Sequence, residues 1–479
     1  MSTGEETEIM ARGGDCPSVA IIGGGFSGAV VAARLAAQLG KEGVRIVVFE
    51  PREQLGRGLA YDTNNPSHRI NVPADRMTLD PGGAFDFPVW LERHDEVSKD
   101  PSLRAGDGSL YPQRGVFGKY VSDFVAPFLR DGTVRHERSR VSQVTRGVSS
   151  WHVETENGTL FEADLLVIAT SHPPPASPRE FAARLEGHPR FIADTTVPQA
   201  LDAIGRRDRV LVVGTGLTAA DVVATLDARG HLGPITFYSR RGLRSRGHAR
   251  TAQQPYGDFD ADPSRTALEL LRKVRASVRG AAAEGLSWHA VLDALRRDAG
   301  AVWRRLPIRE KRRLVKHLRP FWDVHRFRIA PQVEDVIEGR LATGSLRLLA
   351  AKAVEVEVEN GRIWVTLQRR HKSGKDRAAY DAVVVTTGPA HGGILASQPW
   401  LADMARQGFV ELDDTGLGLA CDDQSRATTK DGGVTAGVFV SGPLARGTFG
   451  ELMGLPQVSD HATLVARNLA DAIAVFPTG

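Results

Sequence analysis

Glycines 23, 25 and 28, and further on Gly214 and Gly216 with Ala219, stand at the GxGxxG and GxGxxA spacings that let a backbone cradle a pyrophosphate. In that pattern the first glycine permits a tight turn, the second lets phosphate approach the chain, and the third allows helix and strand to pack closely. The surroundings of the first copy match. Val19 to Ile22 is apolar, Ala29 to Leu39 is rich in Ala, Val and Leu, and Val44 to Glu50 is apolar again, which reads as strand, helix, strand. The helix start at Phe26, Ser27 and Gly28 offers N–H groups to a phosphate. Glu50, 22 residues beyond Gly28, ends the second strand, where a carboxylate can accept hydrogen bonds from adenosine ribose hydroxyls.

The second copy, Arg209-Val-Leu-Val-Val-Gly-Thr-Gly-Leu-Thr-Ala-Ala, opens a helix at Leu217 and Thr218 and leads to a strand, Ile235 to Tyr238. That strand ends in Ser239-Arg240-Arg241, with no acid. Two guanidiniums in that place either pair with a 2′-phosphate, selecting NADPH over NADH, or form a solvated surface pair.

These elements need a large scaffold. At 479 residues and 51.8 kDa the chain exceeds one hydrophobic core. Two nucleotide units in one chain imply an α/β fold of two Rossmann-like dinucleotide-binding domains, the NADPH domain inserted into the FAD domain. The boundaries read as a disordered tail at 1–18, a first FAD-binding part at 19–200, the NADPH-binding domain at 205–381 with a helical insertion at 262–331, and a second FAD-binding part at 382–479. In the insertion, Leu268, Leu271, Val274 and Val278 recur at helical spacing, Ser287 caps a helix bearing Trp288, Val291, Leu292 and Leu295, and a basic segment runs from Ile308 to Leu318. Near the C-terminus, Leu455-Pro-Gln-Val-Ser opens a helix whose tip would face the flavin N1 and C2 carbonyl, and Gly442 would let the backbone approach the ribityl phosphate.

Bulk properties exclude several classes. A net charge of +4 is too small to imply nucleic-acid binding, and no stretch approaches the roughly 20 apolar residues of a membrane span. Cys16 and Cys421 form no CxxC pair, and no metal-ligand cluster is evident. A reducing cytoplasm is the expected location; oligomeric state is not legible.

Several longer segments resemble one family: Gly56-Arg-Gly-Leu-Ala-Tyr-Asp-Thr, His68-Arg-Ile-Asn-Val-Pro-Ala-Asp-Arg-Met, Tyr111-Pro-Gln-Arg-Gly-Val-Phe-Gly-Lys-Tyr, Tyr238-Ser-Arg-Arg-Gly, Pro320-Phe-Trp-Asp-Val-His-Arg-Phe-Arg and Gly442-Pro-Leu-Ala-Arg-Gly-Thr. These are similar to the FAD/NAD(P)-binding family of bacterial flavoproteins, itself distantly similar to N-hydroxylating and other class B flavin monooxygenases. The resemblance implies that the segments Asp164 to Pro173 and Asp381 to Pro389, the latter ending in Gly388, mark where the chain crosses between nucleotide domains; Ser171 stands where a glycine is usual. It also implies FAD and NADPH as cofactors and molecular oxygen as co-substrate, with chemistry through a C4a-peroxyflavin on a small polar, possibly amino-group-bearing substrate. No FxGxxxHxxxW stretch of the Baeyer–Villiger type is present. A flavin reductase or dehydrogenase that does not activate oxygen, and a non-catalytic flavin redox sensor, remain open at this point.

Site candidates follow. The loop Gly56 to Tyr61, with Gly58, can reach along FAD, and Tyr61 either covers the ring or packs. Asn71 either hydrogen-bonds the flavin edge or satisfies turn backbone. His325 and Arg326 would bind an acidic substrate or move a proton, or serve structure. Arg446 and Arg114 are candidates for contact with FAD.

Overall fold

The computed structural model describes residues 9–10, 16–370, 373–388 and 391–475. Ser18–Ile22 is buried along its whole length, as a central parallel strand must be. Its side chains alternate between faces: Val19 and Ile21 meet helices, while Ala20 and Ile22 meet a second layer of strand. Arg45–Phe49 and Leu165–Ile168 pair parallel on either side of it, and Val134–Glu137 and Val434–Val440 extend the sheet, which ends in antiparallel Arg426–Thr428. The helices Phe26–Gly43, Arg114–Arg130 and Gln457–Ala474 cover the first face. A small sheet of Val141–Arg146, Trp151–Thr155 and Leu160–Ala163 covers the other. Ile9–Met10, inside the segment expected to be disordered tail, pairs parallel with Leu160 and Phe161; most of that segment, residues 1–8 and 11–15, lies outside the described residues.

The second sheet is built around Val210–Val213, also buried throughout. Ile235–Ser239 and then Leu346–Glu359 pair parallel on one side, and Arg362–Arg369 and Lys375–Tyr380 continue antiparallel. On the other side lie Ala382–Val385 and Phe191–Ile192. Here the expected boundaries shift. Ala382–Val385, assigned to the second FAD-binding part, and Phe191–Ile192, assigned to the first, are both strands of this second sheet. The reason is burial: all four residues of Ala382–Val385 are enclosed, which requires backbone partners on both edges.

The insertion is helical as expected, with helices Ala267–Ala283, Trp288–Arg305, Ile308–Arg313 and Arg319–Arg326 around a core of their own. A capping box between Thr266 and Glu269 sets the phase of the first helix. That phase turns Leu270, Val274 and Val278 inward and leaves Leu268 exposed, which corrects the expected stripe. Ser287 does stand at a helix start, but its hydroxyl bonds Gln253 Oε1 (2.9 Å) rather than a helix N–H. Trp322 and Asp323 lie within the helix Arg319–Arg326.

The two nucleotide units are fastened to each other. Arg114, at the start of a helix on the first unit, grips Asp221 on the helix Leu217–Ala228 of the second with both guanidinium ends (2.7 and 2.9 Å). Nearby, Asn65 Nδ2 donates to Thr225 Oγ1 at 2.9 Å on the same helix. Arg114, a candidate for contact with FAD, thus also joins the two units through an ion pair. Replacing Arg114 with Ala leaves the largely buried Asp221 carboxylate unpaired and costs about 1.5–3 kcal/mol; scanning calorimetry should show a lowered Tm, part of which returns in the R114A/D221A double variant.

Candidate cofactor cradles and active-site cavity

The first glycine turn is as tight as its pattern requires. Gly23 has φ +102°, and a Cβ there would sit 2.7 Å from the Ala169 carbonyl oxygen; a Cβ on Gly28 would overlap the Gly23 carbonyl oxygen. Gly25 stands at the N-cap of Phe26–Gly43 with no side-chain cap, so first-turn N–H groups are left for a ligand. The side chains of Phe26 and Ser27 turn inward, Phe26 stacking on Phe117 at 6.0 Å, so these residues can serve phosphate through their backbone alone. Glu50 is 4 % exposed and anchored by the Gly24 N–H (3.1 Å), the Arg52 N–H (3.1 Å) and Arg52 Nη1 (3.0 Å).

The loop after Glu50 folds back over this turn. Gly56 N donates to the Gly24 carbonyl (2.8 Å), and Gly58 packs directly on Gly25. Tyr61 packs edge-on against Phe117 at 4.6 Å, and burial pushes its phenol up to about 12, so it stays neutral. Gly442 also allows a close approach, though to a different group from the one expected: a Cβ there would overlap the Ser27 side chain. Its N–H donates to His461 Nδ1 (3.2 Å), and His461 Nε2 in turn meets Ser425 Oγ (2.8 Å). Arg446 is 4 % exposed; its Nε donates to the Gly450 carbonyl, and its Nη1 finds no hydrogen-bond partner among the described residues. A buried guanidinium with an orphaned N–H fits an anionic group supplied from outside the chain.

The second turn repeats the geometry. Gly214 has φ +119°, and a Cβ would lie 2.5 Å from the Thr386 carbonyl oxygen. Gly216, again an uncapped N-cap, faces open space, while Ala219 is fully enclosed; Leu217 and Thr218 form the half-buried first turn. Gly388 lies in the turn after Ala382–Val385 and also faces open space. At the end of Ile235–Ser239, Ser239 Oγ accepts from the Gly242 N–H (3.1 Å). Arg240 is exposed and Arg241 lies over the Phe321 ring (5.0 Å); neither forms an ion pair among the described residues. The residues at both turns thus fit dinucleotides, and the unpaired guanidiniums at the second fit a 2′-phosphate.

A small, mostly enclosed cavity brings two of the three catalytic candidates together. Asn71 and Arg326 line it along with Val72, His248, Arg296 and Arg328, and it has room for little more than a water molecule. The Asn71 carbonyl accepts from His248 Nε2 (2.9 Å). His325 is not part of it. One residue along a helix rotates a side chain by about 100°, so His325 turns away from the cavity, its Nδ1 on the Phe321 carbonyl (2.7 Å) and its ring against Trp288.

Arg326 is 6 % exposed and pairs with Glu451 at 2.8 Å, whose other oxygen accepts from Trp322 Nε1 (3.3 Å). Arg328 grips Asp293 (2.8 and 3.2 Å). Burial raises Asp323 above the usual carboxylate range despite its pairing with Arg319. Burial also holds His172, His248, His289 and His461 down at about 4, with neighbouring arginines adding to the effect at the first three. Sequence reasoning missed Arg296, Arg328, Asp293 and Glu451. The one available signal was local: Asp293 and Arg296 stand one helical turn apart.

Two parallel sheets, each with a glycine turn between strand and helix, the second nested in the chain order of the first, define a two-dinucleotide flavoprotein fold. Residues 20–173 match the FAD-NAD(P)-binding family. Over 173 residues the chain is 27 % identical to FMO GS-OX-like 10, a flavin-containing-monooxygenase-like protein of Arabidopsis thaliana; the match covers 32 % of this chain and 36 % of that relative, about a third of its length. The fold is shared with ornithine hydroxylase PvdA of Pseudomonas aeruginosa (TM-score 0.64, 15 % identity, 95 % of this chain and 99 % of that one). It is shared equally with L-lysine 6-monooxygenase of Pseudomonas syringae (TM-score 0.64, 19 % identity, 95 % and 98 %).

Gly214→Ala and Gly216→Ala should part company. G214A strains the backbone against Thr386 and lowers stability by about 1–3 kcal/mol, whereas G216A meets no protein atom, stays close to wild type in Tm, and loses NADPH affinity at least tenfold by titration. The four histidines that fold neutral have an unfolded value near 6.5 and a folded value near 4, so their contribution to stability is complete above pH 6.5 and is lost as pH falls towards 4. Tm should therefore drop between pH 7 and pH 4.5, and drop less in a His461→Gln variant, which has one such group fewer.

Proposed function

We propose that the chain is an FAD- and NADPH-dependent monooxygenase that transfers oxygen to a small polar substrate bearing an amino group. The observation that carries this reading is the contrast between strand ends: a buried, anchored carboxylate, Glu50, at the first cradle and two unpaired guanidiniums, Arg240 and Arg241, at the second. One flavin nucleotide and one phosphorylated nicotinamide nucleotide are the pair that such ends distinguish. The relatives' names speak of ornithine and lysine, and that supports an amine as the substrate class.

Bound FAD supplies acceptance of hydride and delivery of electrons to oxygen. The protein's part is to bind, orient and exclude water. The N–H groups at the start of Phe26–Gly43 would hold the FAD pyrophosphate, Glu50 the adenosine ribose, and Arg446 Nη1 an anionic edge. Those at Leu217 and Thr218, with Arg240 and Arg241, would hold NADPH. Asn71 can orient a substrate or flavin edge without changing charge, and His248, neutral, keeps the Asn71 backbone in place through its Nε2 donor. The buried Arg326–Glu451 pair, with Trp322 donating to the same carboxylate, fixes the Arg326 side chain in the cavity wall. We place the protein in the cytoplasm, a reducing compartment that suits its free cysteines, Cys16 and Cys421.

Oxygen uptake and product analysis on the FAD-loaded protein test this reading. NADPH-driven oxygen consumption stimulated by an amine, with a hydroxylated product, is the expected result; oxidation of NADPH with electrons passed only to artificial acceptors would make it a reductase. Changing Arg240 and Arg241 together to Ala should raise the KM for NADPH at least tenfold while moving that for NADH far less, since each charge-assisted contact is worth about 1.5–3 kcal/mol. Equal effects on both nucleotides would remove these arginines from the nucleotide site.

A further inference from the structure

We propose that the cavity beside Asn71 receives the negative charge of the substrate, and that the substrate is an amine carrying two oxyanion groups, an amino dicarboxylate or a phosphorylated amino acid. This rests on the reading of the chain as an oxidoreductase of a small amine and deepens it. Four guanidiniums line the cavity, those of Arg76, Arg296, Arg326 and Arg328. Two have carboxylate partners: Arg328 is matched by Asp293 and Arg326 by Glu451. Arg296 meets only neutral acceptors, the Leu455 carbonyl oxygen and Gln457 Oε1, and its Nε has no partner. Arg76, exposed at the rim, forms no ion pair among the described residues. Among the described residues neither of these two guanidiniums has a carboxylate in direct contact, although Glu451 and Asp293 lie near enough to Arg296 to favour its charge.

Arg296 is half-buried, and a partly desolvated cation without a directly bonded carboxylate is stabilised by an anion from outside. Burial, with Arg326 alongside, pushes Arg296 down to about 9, still well above neutral pH, so it keeps its charge. A second source of anionic charge is conceivable, the phosphates of the dinucleotides. The placement favours the substrate: no residue of either glycine turn lines the cavity, whose walls come from the helical insertion, His248 and the segment around Asn71. Its volume, enough for little more than a water molecule, admits a single oxygen of a charged headgroup, the remaining oxygens staying at the mouth beside Arg76, and leaves no room for an aliphatic chain. Planar guanidiniums match carboxylate and phosphate oxygens in pairs, which an ammonium cannot do.

Isothermal titration calorimetry on the full FAD-loaded chain tests this with L-glutamate, O-phospho-L-serine, L-glutamine and L-ornithine. Glutamate or phosphoserine should bind at least tenfold more tightly than glutamine, which has nearly the same shape and one charge fewer, and ornithine should bind most weakly; which acid wins separates the carboxylate source from the phosphate source. Arg296→Gln should weaken the preferred acid at least tenfold. Asp293→Asn, which removes a negative charge from the cavity wall, should tighten it, so the proposal stays testable if R296Q does not fold. Binding of glutamine or ornithine as tight as that of both acids overturns the proposal, as does weaker acid binding in D293N. If R296Q instead moves the KM for NADPH as far as the acid's Kd, the arginines serve the cofactor's phosphates and the proposal falls. Failure to take up flavin would sink the oxidoreductase reading while calorimetry on the same protein still reports acid binding; flavin uptake and reduction by NADPH without acid selectivity sinks this inference alone.

Discussion

In both sheets the first glycine of the turn lies against the strand that follows the central one in space: Gly23 against Ala169 and Gly214 against Thr386, each near enough that a single added carbon would collide with a carbonyl oxygen. This contact sets the rest. It forces the chain to leave the strand abruptly, which leaves the next helix beginning at a glycine with no side chain to cap it, and an uncapped helix start is a place for phosphate. Ala169 and Thr386 come directly after Leu165–Ile168 and Ala382–Val385, so each crossing strand shapes a cradle that the sequence places far away.

Much of this was legible because it is local. Glu50, Arg240 and Arg241 each end the strand that follows a glycine-led helix, so strand, turn, helix and strand carry the residue into place whatever else the protein does. The boundary at 381 was misplaced because the hydrogen-bond partners of Ala382–Val385 lie far off in the chain and local pattern does not reveal them. The Arg114–Asp221 pair was hidden for the same reason: the two residues are 107 apart in the chain. The candidate cavity was harder still. A single π turn, Leu314–Leu318, precedes Arg319–Arg326 and adds a residue to the helical count, so the direction of His325 and Arg326 depends on an irregularity that periodicity does not announce.

The insertion and the C-terminal part of the first unit are joined by directional polar contacts. Arg326 with Glu451, Trp322 with Glu451 and Arg296 with Gln457 all cross that seam. Interactions of this kind are strongly directional and cost much to leave incomplete, so they position a small set of side chains where an apolar seam would tolerate slippage. The neutral histidines work differently. His461 links the Gly442 loop to Ser425 through its two ring nitrogens, one accepting and one donating, a division of roles that only the uncharged ring can hold.

The helix Leu217–Ala228 has two duties within one turn of each other. Its tip is the second candidate phosphate cradle, and Asp221, four residues on, is clasped by Arg114 of the neighbouring unit, a rise of about 6 Å along the axis. The clasp between the two units therefore sits about one helical turn from the glycine that starts the helix. Any displacement of that helix against the first unit would be felt at the ion pair and at the glycine-led tip together.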